Sequence, residues 1–318
     1  MRRLTLIRLL FCVIISQAQV RIISYNVENL FHPAHDTLKN DLDYTPQGLH
    51  HYSYTNYHTK LTNISRVIAA LGENKTAIVA LMEVENSQCL DDLLSIGGLK
   101  NLNYKYLHHE SPDLRGIDCA LLYNTQLVRV LDCRFLPVVL PPPHRPTREI
   151  IYAKTLIKQH STSFNKADTV HLFVCHLPSQ LNGPQATAEK QSIALRVLQS
   201  KIDSIIRCNA DANIVAMGDM NMQPREALQN MHNLMTDSTF LHLGTHRYNG
   251  RWTCLDQFFI STALLDKVKA HIYSPDYLLE DDRKYPGKKP KRCFNSLKFE
   301  NAYSDHLPIF LDFQTHSN

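Results

Sequence analysis

Five short polar clusters stand at the edges of apolar runs. They are Tyr25-Asn26-Val27-Glu28, Glu83 after Ile78-Val79-Ala80-Leu81-Met82, His176 after Phe173-Val174-Cys175, Gly218-Asp219-Met220-Asn221 after Ile214-Val215-Ala216-Met217, and Ser304-Asp305-His306-Leu307-Pro308. A hydrophobic core does not call for carboxylates and imidazoles at its strand ends, because a buried charge is costly unless paired or bound to a cation. Brought together at one end of a sheet, these residue types share a chemistry. Carboxylates hold a hard divalent ion, a carboxylate or imidazole takes a proton from water, and amides orient phosphate oxygens.

Glu83 is the principal candidate metal ligand; Glu85, two residues on, is the alternative source of charge. Asp219 and Asn221 are spaced to point the same way from an extended segment, one to accept a proton from water and the other to hold a phosphate oxygen. Asn26 follows an Ile-rich run and reads either as a ligand-orienting amide or as an ordinary turn residue. His176 leaves its strand at Pro178-Ser179, which favours a cleft position over a satisfied core histidine. A histidine whose far nitrogen bonds a carboxylate is fixed in tautomer and made more basic, and Asp305-His306 and Asp256 bring those groups.

Strand-like runs cover Val20 to Asn26, Ala77 to Glu83, Asp118 to Tyr123, Leu127 to Val139, Ile150 to Ile157, Thr169 to His176, Asn213 to Gly218, Asp256 to Ser261 and Leu307 to Phe313. Helical spacing runs from Leu61 through Leu71 to a stop at Gly72, over the short stretch Leu90 to Ile96, and over Ala188 to Ile206. Strands that succeed one another directly from Asp118 to His176 predict antiparallel pairing and two packed sheets with helices outside. The prolines from Pro137 to Pro146 mark a rigid surface loop, and the His-rich stretch Phe31 to Tyr57 a long ordered one.

The chain has 318 residues, 44% hydrophobic and 20% charged, without internal repeats, which predicts one domain. Residues 1–18 combine Arg2, Arg3 and Arg8 with the apolar Leu9 to Ile15 and the small residues Ser16 and Ala18. This reads as a signal peptide cut before Gln19, leaving a mature domain of 19–318 in the periplasm or outside the cell. Without those three arginines 31 basic residues face 30 acidic ones, so no generally basic coat is present. Seven cysteines remain after residue 18, an odd number with no CxxC pair, which excludes zinc-ribbon and thioredoxin-type sites and leaves disulfides open. A local basic run from Arg283 to Arg292 reads either as a path for a phosphate backbone or as a solvated loop. No amphipathic membrane helix is apparent, and a monomer without stable membrane association is expected.

The ordered motifs together resemble the endonuclease/exonuclease/phosphatase superfamily over about residues 20 to 314. The resemblance implies an α+β fold, a four-layer αββα sandwich of mainly antiparallel mixed sheets with the site at one end. It implies Mg²⁺ or Mn²⁺ as cofactor, with Glu83 as ligand and Asn26, Glu28 and Asp305 near the ion. It implies His176 at the scissile phosphate, Asp219 and Asn221 in catalysis, and Asp256 as partner of His306. Either the His306-Asp256 pair is then the general base, or Asp219 is the base and His306 stabilises charge. Arg115, Arg148 and Arg292 are candidate substrate contacts, and Asp118 either orients His176 or lies exposed at a strand end. A nucleic-acid phosphodiester is the expected substrate, with phosphomonoesters or phospholipids as the alternative and a non-catalytic phosphate binder as a third reading.

Overall fold

Most of the apolar runs become strands that are buried on both faces. The structure, a computed structural model, describes residues 20–72, 76–158, 163–179, 184–225, 227–237, 240 and 243–313; the proposed signal peptide lies outside them. The strands are β1 (Arg21–Leu30), β2 (Thr76–Val84), β3 (Tyr104–His108), β4 (Asp118–Asn124), β5 (Val128–Leu136), β6 (Ile150–Ile157), β7 (Asp168–His176), β8 (Asn213–Asp219) and β9 (Met231–Asn233). There follow β10 (His246–Tyr248), β11 (Arg251–Thr253), β12 (Asp256–Ser261), β13 (Val268–Ile272), β14 (Leu279–Asp281), β15 (Lys288–Pro290), β16 (Phe294–Asn295), β17 (Lys298–Phe299) and β18 (Ile309–Phe313). The long helices are α1 (Tyr54–Gly72), α2 (Ser87–Ser95) and α3 (Pro184–Cys208).

One six-stranded sheet has the order β13-β18-β1-β2-β4-β3 and the other β5-β6-β7-β8-β12-β9. The central pairs β1–β2 and β7–β8 are parallel, and α1 and α3 supply the crossovers that parallel neighbours need. The directly connected strands β5–β6–β7 pair antiparallel, as their succession in the sequence predicts, whereas β4 does not pair with β5 but lies in the other sheet, antiparallel to β2 and to β3.

Alternation along the strands builds the layers. Ile22, Ile78, Ala80 and Met82 face Leu172, Val174, Val215, Met217 and Phe258 between the sheets. The alternate residues Ile23, Tyr25, Val79 and Leu81 pack outward against Leu61, Ile64 and Ile68 of α1 and Leu90 and Leu93 of α2. Phe173, Ile214 and Ala216 pack against Ala194, Leu198 and Ile202 of α3. The result is the αββα sandwich.

Some boundaries differ from the sequence reading. Helix α1 starts at Tyr54, inside the stretch read as loop, because Tyr57 and the fully buried Lys60 extend its inner face. Strand β5 stops at Leu136, short of the proline-rich segment. The basic run is no loose loop: its Lys288 and Lys289 lie in the β14–β15 hairpin and pair with Asp276 at 2.7 Å and Glu280 at 3.4 Å. All seven cysteines among the described residues are free. No helix of the described residues is long and apolar enough to cross a membrane.

Candidate active site

At one end of the first sheet, two neighbouring strands lose their register together. Pairing of β1 with β2 shifts between Asn26 and Leu30, and pairing of β2 with β4 shifts between Met82 and Val84. Glu28, Asn29 and Glu83 adopt positive φ of 52°, 54° and 68°. Such irregularities re-aim side chains at the rim of a sheet, and positive φ in a non-glycine residue persists only where its surroundings hold it. Here they turn the Glu83 carboxylate over the strand ends. Its Oε2 accepts the Asn29 amide N–H at 2.8 Å and its Oε1 accepts Asn26 Nδ2 at 3.3 Å.

The second sheet supplies the facing groups. Gly218 has a φ of +136°, and a Cβ there would fall 1.9 Å from the Cys175 carbonyl oxygen, so only glycine lets β8 lie this close to β7. This close pairing sets Asp219 level with His176 on one side and Asp256 on the other. Asp219 Oδ1 accepts the Asn221 N–H at 2.9 Å, while Oδ2 accepts Asn26 Nδ2 at 3.1 Å. The same Oδ2 lies 3.6 Å from His176 Nε2 and 3.8 Å from His306 Nε2, and His176 Nε2 lies 3.7 Å from Glu83 Oε1. His306 Nδ1 bonds Asp256 Oδ2 at 2.7 Å. Ser304 joins the two halves: its hydroxyl donates to the Asn26 carbonyl at 2.7 Å and accepts the His306 N–H at 3.0 Å.

Burial sorts the charges. Burial raises Asp219 to about 6, although the His306 cation pulls against it. For His306 burial alone would lower the pKa, but Asp256, Asp219 and the Asp256 hydrogen bond outweigh it and hold the ring well above its usual value. His176 is pushed well below the usual value by burial and by Arg148, Arg115 and His306, so it is neutral. His246, whose ring lies 4.9 Å from that of His306, is likewise lowered to about 4 by burial and the neighbouring cation. One cationic imidazole therefore stands among neutral ones.

Glu83 fits a hard divalent ion by donor type. Among the described residues no three His, Cys, Asp or Glu side chains form a ready metal cage. Mg²⁺ binds through one or two carboxylates and keeps several waters, which Glu83 suits. Asn26 turns its Nδ2 to Glu83 and Asp219 and its Oδ1 to the Glu28 N–H at 3.0 Å, so it positions the carboxylates and offers no oxygen beside them. Glu85 is turned elsewhere: it accepts the His32 N–H at 2.7 Å and Asn86 Nδ2 at 3.0 Å, and burial raises it to about 8.

Other residues singled out in the sequence take different places. Glu28 does not join Glu83. Its carboxylate accepts the N–H groups of Cys293 at 2.6 Å and Phe294 at 3.3 Å and pairs with Arg292, because the bulge in β1 turns it toward the 292–294 segment. Asp305 pairs with the same Arg292 at 3.1 Å, so Glu28, Arg292 and Asp305 form a second cluster beside the first. Asn221 is not extended in parallel with Asp219: its φ is 49° and its Nδ2 donates to the Leu177 carbonyl at 3.1 Å, which braces the loop after β7.

Arg148 is 3% exposed, bonded to Asp113 at 2.7 Å and to the His176 carbonyl at 3.3 Å, and supports His176 from behind. Asp118 is buried and accepts the N–H and hydroxyl of Ser111; it does not orient His176. Arg115 stays half-exposed and opens onto a cavity of about 560 Å³. Sequence reasoning gave no role to Asn29, Ser304 or His246. Ser304 stood inside a quoted motif, whereas His246 lies in a polar stretch without a distinguishing pattern.

The Glu28 arrangement makes a stability prediction. Glu28→Ala leaves two buried N–H groups without an acceptor, and should lower unfolding free energy by about 2 kcal/mol or more in denaturant titration, with Glu28→Gln milder.

Over residues 21–315 the sequence matches the endonuclease/exonuclease/phosphatase family, and the chain belongs to it. Its fold is shared with D. rerio TDP2 complexed with a single-strand DNA product (TM-score 0.54, 18% identity, 94% of this chain and 100% of that one). It is also similar to the human Nocturnin catalytic domain with a bound sulfate anion (TM-score 0.57, 14% identity, 94% and 95%). A family protein from Bacteroides thetaiotaomicron compares at a TM-score of 0.55 and 13% identity, covering 94% and 99%. No curated protein matches the chain. Members of this superfamily are generally phosphoric-ester hydrolases and typically depend on a divalent metal.

Proposed function

We propose that the protein is an exported, monomeric phosphodiesterase dependent on Mg²⁺ or Mn²⁺ that cleaves nucleic acid, DNA foremost, by attack of water on the phosphodiester. The observation that carries this reading is the convergence on Asp219 Oδ2, where Asn26, His176 and His306 all stand within 3.8 Å. A metal bound by Glu83 would neutralise a non-bridging phosphate oxygen and the leaving alkoxide.

Within this site Asp219 accepts the proton of the attacking water, since its Oδ2 lies between the two histidine Nε2 atoms, 3.6 and 3.8 Å away, and burial has made it more basic. His306, cationic and fixed by Asp256, offers Nε2 to the charge that builds on the phosphoryl oxygens. Neutral His176 offers its own Nε2 between Glu83 and Asp219. Water forms the new P–O bond as the ester P–O bond opposite breaks, and Asn26 keeps Asp219 and Glu83 in place.

The solved TDP2 complex with a DNA product and the sulfate in Nocturnin support a phosphate-bearing ligand on this fold. A lipid substrate would call for an apolar rim; of the apolar residues Phe31, Leu278 and Leu279 that could form one, Phe31 and Leu278 are buried in the core and Leu279 is partly buried.

A panel of substrates tests the reading. The purified mature protein with Mg²⁺ or Mn²⁺ is expected to cut a labelled DNA strand and to nick supercoiled plasmid, leaving sphingomyelin and a phosphomonoester intact. Turnover of lipid or monoester with DNA untouched would overturn the nuclease assignment.

A further inference from the structure

Two hairpins, β10–β11 and β14–β15, meet beside His306 and enclose a cavity of about 200 Å³. Its wall toward the active site is His246, whose ring lies tilted at 38° against that of His306 with centroids 4.9 Å apart, together with Arg292 and Asp305. The cavity therefore opens next to the atoms that handle the phosphate.

The cavity is held in shape by contacts unrelated to those atoms. Arg247 donates to Asp282 Oδ2 at 3.1 Å, to the Lys288 carbonyl at 3.1 Å and to the Pro286 carbonyl at 2.6 Å, which ties the first hairpin to the second. Gly250 turns the tip of the first hairpin with a φ of +78°, and a Cβ there would come within 2.8 Å of the Tyr285 ring. Tyr285 thus rests on that tip, with its hydroxyl 3.4 Å from Asn249 Oδ1.

Tyr248 stands at the opening and is 71% exposed, a large aromatic ring presented to solvent. Cations line the same cavity: Lys284, 5.3 Å over the Tyr285 ring, with Lys289, which is paired with Glu280, and Arg292, which is paired with Glu28 and Asp305. Aromatic faces interleaved with cations are the means by which proteins hold unpaired bases and the phosphates that join them. The cavity on the other flank differs. It is lined by Arg115, Arg145 and Lys190 with His144 but no Tyr, Phe or Trp, a composition suited to phosphate, while Arg148 at its floor is held by Asp113.

We infer that Tyr248 and Tyr285 form a nucleobase subsite for the nucleotide beside the scissile phosphate, so that the preferred substrate is a single strand or an unpaired end. This rests on the phosphodiesterase reading and adds a direction to it: base recognition on the His246 side, phosphate tracking on the Arg115 side. A cavity of this size takes one ring system, and a base still paired in a duplex cannot enter it without leaving its partner.

The test compares kcat/KM for a single DNA strand with that for an abasic strand of equal length, in the wild type, Tyr248→Ala and Tyr248→Phe. Wild-type protein is expected to prefer the base-bearing strand by about tenfold, the loss that one stacked base represents. That ratio should collapse toward one in Tyr248→Ala and persist in Tyr248→Phe, and any general loss of activity cancels within each variant. Equal rates on the two strands in the wild type, an unchanged ratio in Tyr248→Ala, or faster cleavage of duplex than of single strand would overturn the subsite. Wild-type hydrolysis of methyl p-nitrophenyl phosphate, run alongside, separates the two claims: its absence together with inert strands overturns the phosphodiesterase reading itself.

Discussion

Replacing His306 with alanine is expected to lower kcat for phosphodiester hydrolysis by about a thousandfold, within the range that loss of a positioned acid–base or charge-stabilising group produces. The reason lies in its setting. His306 is 7% exposed, bonded to Asp256 at 2.7 Å and held as a cation against burial by Asp256 and Asp219. Alanine removes the cation and leaves the fully buried Asp256 without its partner. Asp256→Asn should therefore also lower kcat, through loss of the charge that fixes the ring, while leaving KM nearly unchanged. Steady-state kinetics on one substrate checks both, with circular dichroism to confirm folding. A His306→Ala protein within tenfold of wild type would contradict the role given to this imidazole.

The second large effect is expected at Glu83. Glu83→Gln keeps the shape of the side chain and one oxygen, to accept from Asn29 or Asn26 but not both, and removes the negative charge that a divalent ion needs. The metal concentration for half-maximal activity should rise by at least about a hundredfold, an effect comparable to the upper end seen when support for a metal site is lost. Titration of activity with Mn²⁺ reads this directly, and calorimetric titration of Mn²⁺ into the protein reads it without turnover. An unchanged metal requirement in Glu83→Gln would move the ion to other ligands.

The layers and most of this site were legible from the chain because the signals were local. Apolar alternation gave the central strands, and a carboxylate, imidazole or amide at a strand end marked where each run left the core. Asn26, Glu83, His176, Asp219, Asp256 and His306 come together in the structure. The edge strands β3 and β13 were not legible: β3 is half-exposed with mixed residues, and β13 alternates Val268-Lys269-Ala270-His271 over too few residues to stand out.

Side-chain direction was harder to read. Glu28 follows Asn26 at the spacing of an extended strand, yet the bulge sends it to backbone groups more than 260 positions away. Asn221 follows Asp219 in the same way, and a positive φ turns it onto Leu177. Bulges leave little trace in composition, because a residue such as Glu takes a left-handed conformation only when distant contacts hold it there, and Asn, which takes it readily, is equally common in ordinary turns. Arg148 shows the converse: an arginine beside a proline-rich loop suggested solvent and substrate, but Asp113 holds it inside.

The measurement that bears most directly on the central claim is hydrolysis of bis(p-nitrophenyl) phosphate by the mature protein with Mn²⁺, with EDTA, and after Mn²⁺ is restored, beside Asp219→Asn. The account predicts turnover that EDTA abolishes and Mn²⁺ restores, and a loss of about a thousandfold in kcat for Asp219→Asn at every metal concentration. Turnover that persists in EDTA, or an Asp219→Asn protein as active as wild type, would contradict it.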